Sequence, residues 1–539
     1  MTQHTGKPSR RRISSPPYTL DRSFRLGCLI PIGASLSLGI AVATAAEAPT
    51  SGSVRTLSLN DCFQLALKHN LDLQIERLNT KIQGYQLSGS YAAYDPSFTF
   101  GASKNYLDQP GSFDPKKILP DNAYKLSTDS LAAGVIGKLP TGMSYQLGGG
   151  LDQLHAMTPF GPAFPNNINF PPDGTRRTNQ FLMNSGITIR QPLLKNLWID
   201  SDRLQIQVSK KNLQISELGL TAKVMNTVSA VQQTYYDAWL AQQILAVQQA
   251  ALVKALQMHE DARLRIKNGS LVPFEETLYQ FNVENVRGDV MSAESAAREE
   301  QSSLRNLIAD DLKDWIGGSI QVTENPAETA EQFDQIGSWR AAMVKRPDVQ
   351  QAELDLQKQD ILLRFDRNQL YPSLDLVGSY GVQSADPSLS TTSGEIGNAN
   401  HSKYSYGIVL SVPFSNQGAR SKYKANQEER HQALLRMKQM EMGILTQVEH
   451  AGRLMETAYT RIESTRQARI FAEEVLKSEE NKIQMGGTSS FVIVESRRRL
   501  TTAAVAEAKA RADYAKASAQ LSQGRGEILE RNAINLNFK

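Results

Sequence analysis

Cysteine is nearly missing from this chain: Cys28 and Cys62 are the only two in 539 residues. Removing the N-terminal segment described below leaves Cys62 alone. No intramolecular disulfide can then form, so stability must come from packing even in an oxidising compartment. Aromatic residues are modest at 7%, while Ala, Gln, Glu, Leu, Arg and Ser are plentiful. That composition suits long helices better than a compact enzyme core. Proline is absent from about 200 to 267 and again from about 417 to 485. At 1.5 Å per residue, each stretch would make a helix on the order of 100 Å long. Helices of that length belong to coiled coils or to tubes of helices packed at small angles.

Excess charge of one sign is also lacking once the N-terminus is set aside. Lys7, Arg10, Arg11, Arg12, Arg22 and Arg25 precede an apolar run from Leu26 to Ala46, and Ala43-Thr44-Ala45 forms a small-residue cleavage pattern. Residues 1–45 therefore read as a signal peptide; the run is also long enough for an uncleaved anchor. Its removal takes away six cations and Asp21, so the net charge falls from +4 to −1 (4 − 6 + 1). The basicity belongs to the signal, and nucleic-acid binding loses its support.

What is present is a duplication. His69-Asn70-Leu71-Asp72-Leu73 is answered by Lys345-Arg346-Pro347-Asp348-Val349, and Asp95-Pro96-Ser97-Phe98 by Tyr371-Pro372-Ser373-Leu374. The offset is 276 at both places (345 − 69 and 372 − 96). Gln191-Pro192-Leu193 matches Val412-Pro413-Phe414 at 221, and Ile266 to Gly269 matches Ile483 to Gly486 at 217. A period this long marks two copies of one large unit rather than a solenoid. The segments are 46–309 and 338–530, joined by a linker at 310–337 and followed by a tail at 531–539.

Each copy opens on a helix. Ser58 with Asp61 is a capping box, and the apolar positions run on to Asp95-Pro96; the counterpart starts near Ser338 and stops at Tyr371-Pro372. Each proline-free helix ends in a short Gly turn and a return helix. The first turn is Asn268-Gly269-Ser270, before Phe274 to Ile308. The second is Gly486-Gly487-Thr488-Ser489, before Phe491 to Leu529. Helix, tight turn and helix make an antiparallel hairpin.

Between the helices the period switches to two. Leu374, Leu376, Tyr380 and Val382 alternate with Ser373, Asp375, Ser379 and Gln383. Tyr404 to Val412, Phe98 to Ala102 and Phe181 to Ile189 alternate in the same way. Fifty-five extra residues in the first copy (276 − 221) read as an additional hairpin, Leu131 to Leu139 and Tyr145 to Leu151 about Pro140-Thr141-Gly142. Two architectures fit such strands: a soluble half-buried sheet, or a transmembrane barrel with apolar residues to lipid and polar ones to the lumen. The secretion signal and the strand length favour the barrel. Asp152, Arg190 and Asp375 then face the lumen, or form an interface salt bridge. Loops 107–127, 156–178 and 384–402 lie outside. One chain has too few strands for a wide pore, so the barrel must be shared among subunits.

Taken together, these residues resemble the outer membrane efflux protein family, the TolC-like channels. Leu57-Ser58-Leu59-Asn60-Asp61 with Asn70-Leu71-Asp72-Leu73 is similar to the family's first helix, and Pro96 and Pro372 to its helix-to-strand junctions. The family's hairpin tips pair a basic residue with a Gly four positions later. Here these are Arg265 with Gly269 and Lys482 with Gly486; Ser489 fits the small hydroxyl position that follows, and Val272 does not. The resemblance implies a mixed α and β membrane protein. A trimer would share a transmembrane antiparallel β-barrel, continued by a periplasmic α-helical barrel of coiled-coil hairpins. Four strands per chain are usual in relatives; this chain offers six. Adaptor docking and gating would fall to Arg265, Asn268, Gly269, Ser270, Lys482, Gly486, Gly487, Thr488 and Ser489.

A search for chemistry finds no catalytic, cofactor or metal constellation. Gly137 to Ser144 mimics a P-loop, but Met143 stands at the Lys position. His259-Glu260 opens a zinc-protease pattern, but Arg263 stands where the second His belongs. Asn268-Gly269-Ser270 fits a sequon better explained as a tight turn, and Arg497-Arg498-Arg499 reads as a solvated helix face. The expectation is a homotrimeric exit channel of a tripartite efflux or type I secretion system. Such a channel would lie in outer-membrane lipid, dock a periplasmic adaptor, couple indirectly to an inner-membrane pump and carry no nucleic acid or cofactor. A trimeric adhesin or strut, and a soluble coiled-coil adaptor, are the alternatives.

Overall fold

The computed structural model describes residues 54–535, apart from 112–122, 160–174, 316–317, 486 and 488. The signal peptide, parts of two of the outer loops, Gly486, Thr488 and the end of the tail lie outside the described residues.

Capping chemistry sets the first boundaries. A short strand β1, Val54–Leu57, leads into α1, Leu59–His69, where Ser58 and Asp61 form the capping box. A single helix up to Pro96 is expected, but two form. Asn70 is extended (φ −60°, ψ 121°) and its side-chain oxygen accepts from the Leu73 amide, starting α2, Leu71–Ser90. An Asn that serves the backbone in this way ends one helix by capping the next. Strands β2 (Ser97–Gln109), β3 (Tyr124–Lys138), β4 (Ser144–Pro159) and β5 (Thr175–Pro192) follow. Asp200 then caps α3, Ser201–Lys267, through the Arg203 amide at 2.7 Å. Next come α4, Phe274–Ile308, and β6, Ser319–Val322.

The second part runs through α5, Gln335–Lys345, and α6, Pro347–Gln369. The break between them falls at Arg346, also extended (φ −72°, ψ 126°), 276 residues after Asn70 (346 − 70). Here Pro347 causes it, since the residue before proline avoids helical backbone. Then come β7 (Ser373–Asp386), α7 (Leu389–Gly397) and β8 (Ser402–Ser411). Last are α8 (Gln417–Gln484), α9 (Ser490–Gly524) and α10 (Ile528–Arg531).

With 67 and 68 residues, α3 and α8 each run about 100 Å at 1.5 Å per residue. They pair with α4 and α9 in two hairpins, and α3 also packs on α9. Two buried clusters hold the upper halves together. Val224, Val228, Val231 and Tyr235 of α3 meet Leu304 and Ile308 of α4 and Ala512 and Ala515 of α9. Ile444, Val448, Met455 and Ile462 of α8 meet Ala510, Ala517 and Leu521 of α9. Alanine on α9 lets both long helices approach closely, and each buried branched side chain contributes about 1.5–3 kcal/mol. Beside the first cluster, β1 and β6 form a parallel pair, Val54↔Ser319 to Leu57↔Val322.

The remaining strands form one six-stranded antiparallel sheet in the order β2-β3-β4-β5-β7-β8. The extra hairpin, β3 and β4, lies inside it between β2 and β5, in register Leu131↔Leu151 and Ile136↔Gln146. The helices α2, α3, α6 and α8 all attach at one end of this sheet.

Candidate functional site

The sheet has two chemically opposite faces, and the strand registers define them, because residues directly opposite in an antiparallel pair share a face. One row runs Thr99, Gly134, Gly148, Gly186, Gly381, Lys403 across all six strands. Its neighbours on the same face include Gln146, Asn184, Thr188, Ser379 and Ser405. All of these but Ser405 line a hollow of about 860 Å³ that also takes in Asp152 and Gln383. The glycines have a steric reason: a Cβ on Gly186 would lie 2.6 Å from the Tyr380 carbonyl oxygen.

The opposite face carries Phe98 and Phe100, Leu131, Leu147, Ile187, Leu376, Tyr380, Tyr406 and Ile408 by the same registers. Much of it is bare: Phe98 is 70% exposed, Tyr406 84% and Ile408 65%. In β5 the apolar alternation covers Phe181 to Ile189, about 30 Å of strand at roughly 3.3 Å per residue. From the Phe181 row outward, away from the helices, the same face turns ionic on β2 and β3, with Lys104–Asp129 at 3.0 Å and Lys125–Asp108 at 3.1 Å. A contiguous exposed apolar band bounded by charge marks a surface made for a partner or for lipid. The outer sides of β2 and β8 have no partner strand among the described residues.

Asp152, Arg190 and Asp375 all lie on the polar face by register (Asp152↔Leu182, Arg190↔Val377, Pro192↔Asp375). Two of them meet. The Arg190 guanidinium donates to Asp375 Oδ2 from Nη2 at 2.6 Å and from Nε at 3.1 Å, joining β5 to β7. Asp375 is nearly buried there, while Arg190 stays half open. Asp152 stands apart, toward the outer loops.

At the far end, Asn268, Gly269 and Ser270 close α3. Gly269 is left-handed (φ +72°), its amide donates to the Ile266 carbonyl at 3.0 Å, and the Ser270 amide donates to that of Arg265 at 2.9 Å. This is a Schellman end, and glycine takes its left-handed position without a Cβ penalty. In the second hairpin the Gly487 amide donates to the Lys482 carbonyl, also at 2.9 Å. Both donor and acceptor are displaced by 217 (487 − 270, 482 − 265). Lys482 Nζ is held by Glu479 at 2.6 Å, Arg265 is exposed, and Ser489 precedes the first residue of α9. The turns adjoin: Ser490 donates to Glu275, and a cleft of about 310 Å³ is lined by Arg265, Leu271, Tyr279, Ile483, Ile493 and Arg497.

The sequence motifs miss the apolar residues of this end. Val272, Phe274, Met485 and Phe491 are all exposed there, Met485 at 87%; the signal was four large apolar residues beside two Gly turns. The three arginines separate in role. Arg498 and Arg499 both grip Glu495 on their own helix, at 2.8 and 3.0 Å, and their hydrogen bonds push its carboxyl down to about 2. Arg497 instead crosses to Glu480 of α8 and ties the hairpin. Burial pushes the Cys62 thiol up to about 12, which keeps it inert. Among the described residues there is no cluster of His, Cys, Asp and Glu able to hold a metal. Nor is any described helix long and apolar enough to cross a membrane.

The family model for the outer membrane efflux protein matches residues 339–527, the stretch from α5 to the end of α9. Nodulation protein T of Rhizobium leguminosarum bv. trifolii is 21% identical over 327 residues, 59% of this chain and 68% of that protein. Three solved channel proteins share the fold. The Campylobacter jejuni CmeC outer membrane channel has a TM-score of 0.60 at 16% identity over 89% of this chain and 90% of its own. CusC, a transmembrane channel protein, has 0.63 at 15% over 87% and 92%. The open state of the Neisseria gonorrhoeae MtrE outer membrane channel has 0.58 at 14% over 87% and 89%.

Proposed function

We propose, from the premise that this chain is a member of the outer membrane efflux protein family, that it is the exit channel of a tripartite efflux or type I secretion assembly. The family is one of transport channels in the outer membrane with a periplasmic helical extension, and the chain works as a duct, not an enzyme. The observation that carries the reading is the two-faced sheet joined end-on to helices of about 100 Å.

The apolar face meets lipid, and the polar face, with Asp152, Arg190 and Asp375, lines a watery lumen. In lipid an open sheet edge leaves backbone groups unsatisfied, so the edges must find strands. Five antiparallel pairings separate β2 from β8, so the two edge strands run in opposite directions. β8 of one copy can therefore pair antiparallel with β2 of the next, a head-to-tail contact that closes a ring. The family resemblance sets the ring at three, giving eighteen strands. The two halves, 46–309 and 338–530, are repeats of one unit, and 310–337 forms a girdle between them.

At the periplasmic end a ring of tips presents Arg265, Asn268, Gly269, Ser270, Lys482, Gly487 and Ser489, with Gly486 and Thr488 between. The exposed Val272, Phe274, Met485 and Phe491 give an adaptor protein its apolar anchor. The adaptor links the duct to an inner-membrane pump, which supplies the energy. Gating is a sliding or splaying of the hairpins at these turns.

The test is the mass of the detergent-extracted complex from fractionated membranes. The account expects three chains per complex, in the outer-membrane fraction. A monomer, or recovery in the soluble periplasm, contradicts it.

A further inference from the structure

Among the described side chains, the charged groups on the polar face of the sheet are Lys138, Asp152, Arg190, Asp375 and Lys403. Most are neutralised in place. Arg190 pairs with Asp375, and Lys138 reaches Asp202 of α3 at 2.8 Å. Asp152 of β4 and Lys403 of β8 remain. Both line the hollow of about 860 Å³, and neither has a hydrogen bond or ion pair among the described residues. The polar groups around them are neutral: the amides of Gln146, Asn184 and Gln383 and the hydroxyls of Thr99, Thr188 and Ser379. The rings at this level, Phe100 and Tyr380, belong to the opposite face.

The two charges are too far apart to neutralise each other. Lys403 lies in the Gly148 row, three strands from β4, and Asp152 is four residues out of that row (152 − 148). The separation is about 20 Å along the sheet. Salt at physiological strength screens charge over roughly 8 Å, so each group acts on passing ions by itself.

Their placement is also regular. In the order β2-β3-β4-β5-β7-β8, Asp152 sits on the third strand and Lys403 on the sixth. When β8 of one copy joins β2 of the next, Lys403 stands three strands from the Asp152 of its own chain and three from that of its neighbour. Carboxylate and ammonium then alternate evenly around the wall. On its polar face β2 offers Ser97, Thr99, Gly101, Ser103 and Asn105, so the new neighbour brings Lys403 no carboxylate.

We propose that Asp152 and Lys403 are opposed selectivity residues of the membrane hollow, which hold its preference between cations and anions in balance. Fixed charge of one sign on the wall of a pore gathers counter-ions and repels co-ions. Either group alone would bias the hollow; the two in equal number cancel. Cargo is then screened there by hydrophilicity, through the amides and hydroxyls, and not by the sign of its charge. The proposal rests on the shared-barrel duct, and its test separates the two.

The experiment uses the full-length complex in planar bilayers. Reversal potentials across a ten-fold potassium chloride gradient give the ratio of potassium to chloride permeability. Asp152→Asn should lower that ratio about two-fold, and Lys403→Gln should raise it about two-fold. The double variant should return to the wild-type ratio, and Lys403→Arg should keep it. The shifts should shrink in molar salt, where screening acts over about 3 Å. Asp129→Asn, on the opposite face, should leave the ratio unchanged. Single variants that conduct with the wild-type ratio, or that both move it the same way, overturn the proposal. A wild type that inserts but never conducts overturns the duct on which it rests.

Discussion

The Ser270 amide donates to the carbonyl of Arg265 at 2.9 Å, and 217 residues later Gly487 and Lys482 repeat the bond at the same length. Two hairpins in one chain therefore share one closing hydrogen bond, at positions where their sequences share a basic residue, an isoleucine and a glycine (Arg265, Ile266 and Gly269; Lys482, Ile483 and Gly486). In the first, Gly269 carries the left-handed backbone, and a Cβ there would meet nothing within 4 Å. The cost of replacing it is thus one of backbone conformation alone. Gly269→Val should cost about 1–2 kcal/mol at the helix end, and Gly269→Asn much less. Paired with Gly486→Val, it should impair export while the barrel still assembles. Thermal melts and heat-resistant oligomers on gels check assembly, and normal export from the double variant contradicts gating at these turns.

The faces of the sheet predict opposite outcomes for neighbouring positions. Ile187 lies on the apolar face, within the Phe181–Ile189 band, and Thr188 beside it on the polar one. An arginine on the lipid face near mid-membrane costs about 2–4 kcal/mol. Ile187→Arg should therefore block assembly in membranes, whereas Thr188→Arg should assemble and alter conductance. Membrane-fraction yield of the two variants decides it.

Arg190 and Asp375 tie the first strand block to the second. Because Arg190 is half exposed, water screens the pair, and a double-mutant cycle with Arg190→Ala and Asp375→Ala should return a coupling of about 1 kcal/mol. Arg190→Ala alone should cost more than Asp375→Ala, since it leaves a nearly buried carboxylate unpaired, whereas the half-exposed guanidinium left by Asp375→Ala stays in water. Chemical denaturation of the extracted protein measures both.

Acid should loosen the charge network around Glu507, a buried carboxylate of α9 held by Arg469 at 2.5 Å and Arg511 at 2.7 Å. Burial alone would push the Glu507 carboxyl up, but the hydrogen bond from Arg469 and the Arg511 charge hold it below its ordinary value of 4.5. A carboxylate depressed in the folded state stabilises fully above its unfolded value and loses that contribution as pH falls through the folded one. Exchange across α8 and α9 should therefore accelerate below about pH 4.5, with Glu328, Glu473, Arg466, Arg469 and Arg511 as the facing charges. Glu507→Gln should flatten that part of the pH response.

Much of this was legible in the sequence because it depends on local patterning. Proline-free stretches gave the long helices nearly to the residue, and period-two alternation gave the strands and their two faces. Asn70 carries no break signal in the sequence, because its effect comes from one side-chain bond to Leu73 rather than from a proline or glycine. The repeated segments at His69 and Lys345 were visible, but not that each marks a helix junction. The Arg190–Asp375 pair needed the β5–β7 register, which joins positions 185 residues apart. The contacts of residues 323–334 are hidden for the same reason: they run to 235, 452, 466 and 511, and no periodicity records them.

The central claim is a water-filled duct opened at its helical tips. Single-channel recording in a planar bilayer tests it most directly, with wild type beside a complex loosened at the tips by Ser490→Ala and Glu275→Ala, which remove the hydrogen bond between the two turns. The account predicts discrete conductance for both, larger or longer-lived in the loosened complex. Silence from both, with insertion confirmed independently, would contradict it.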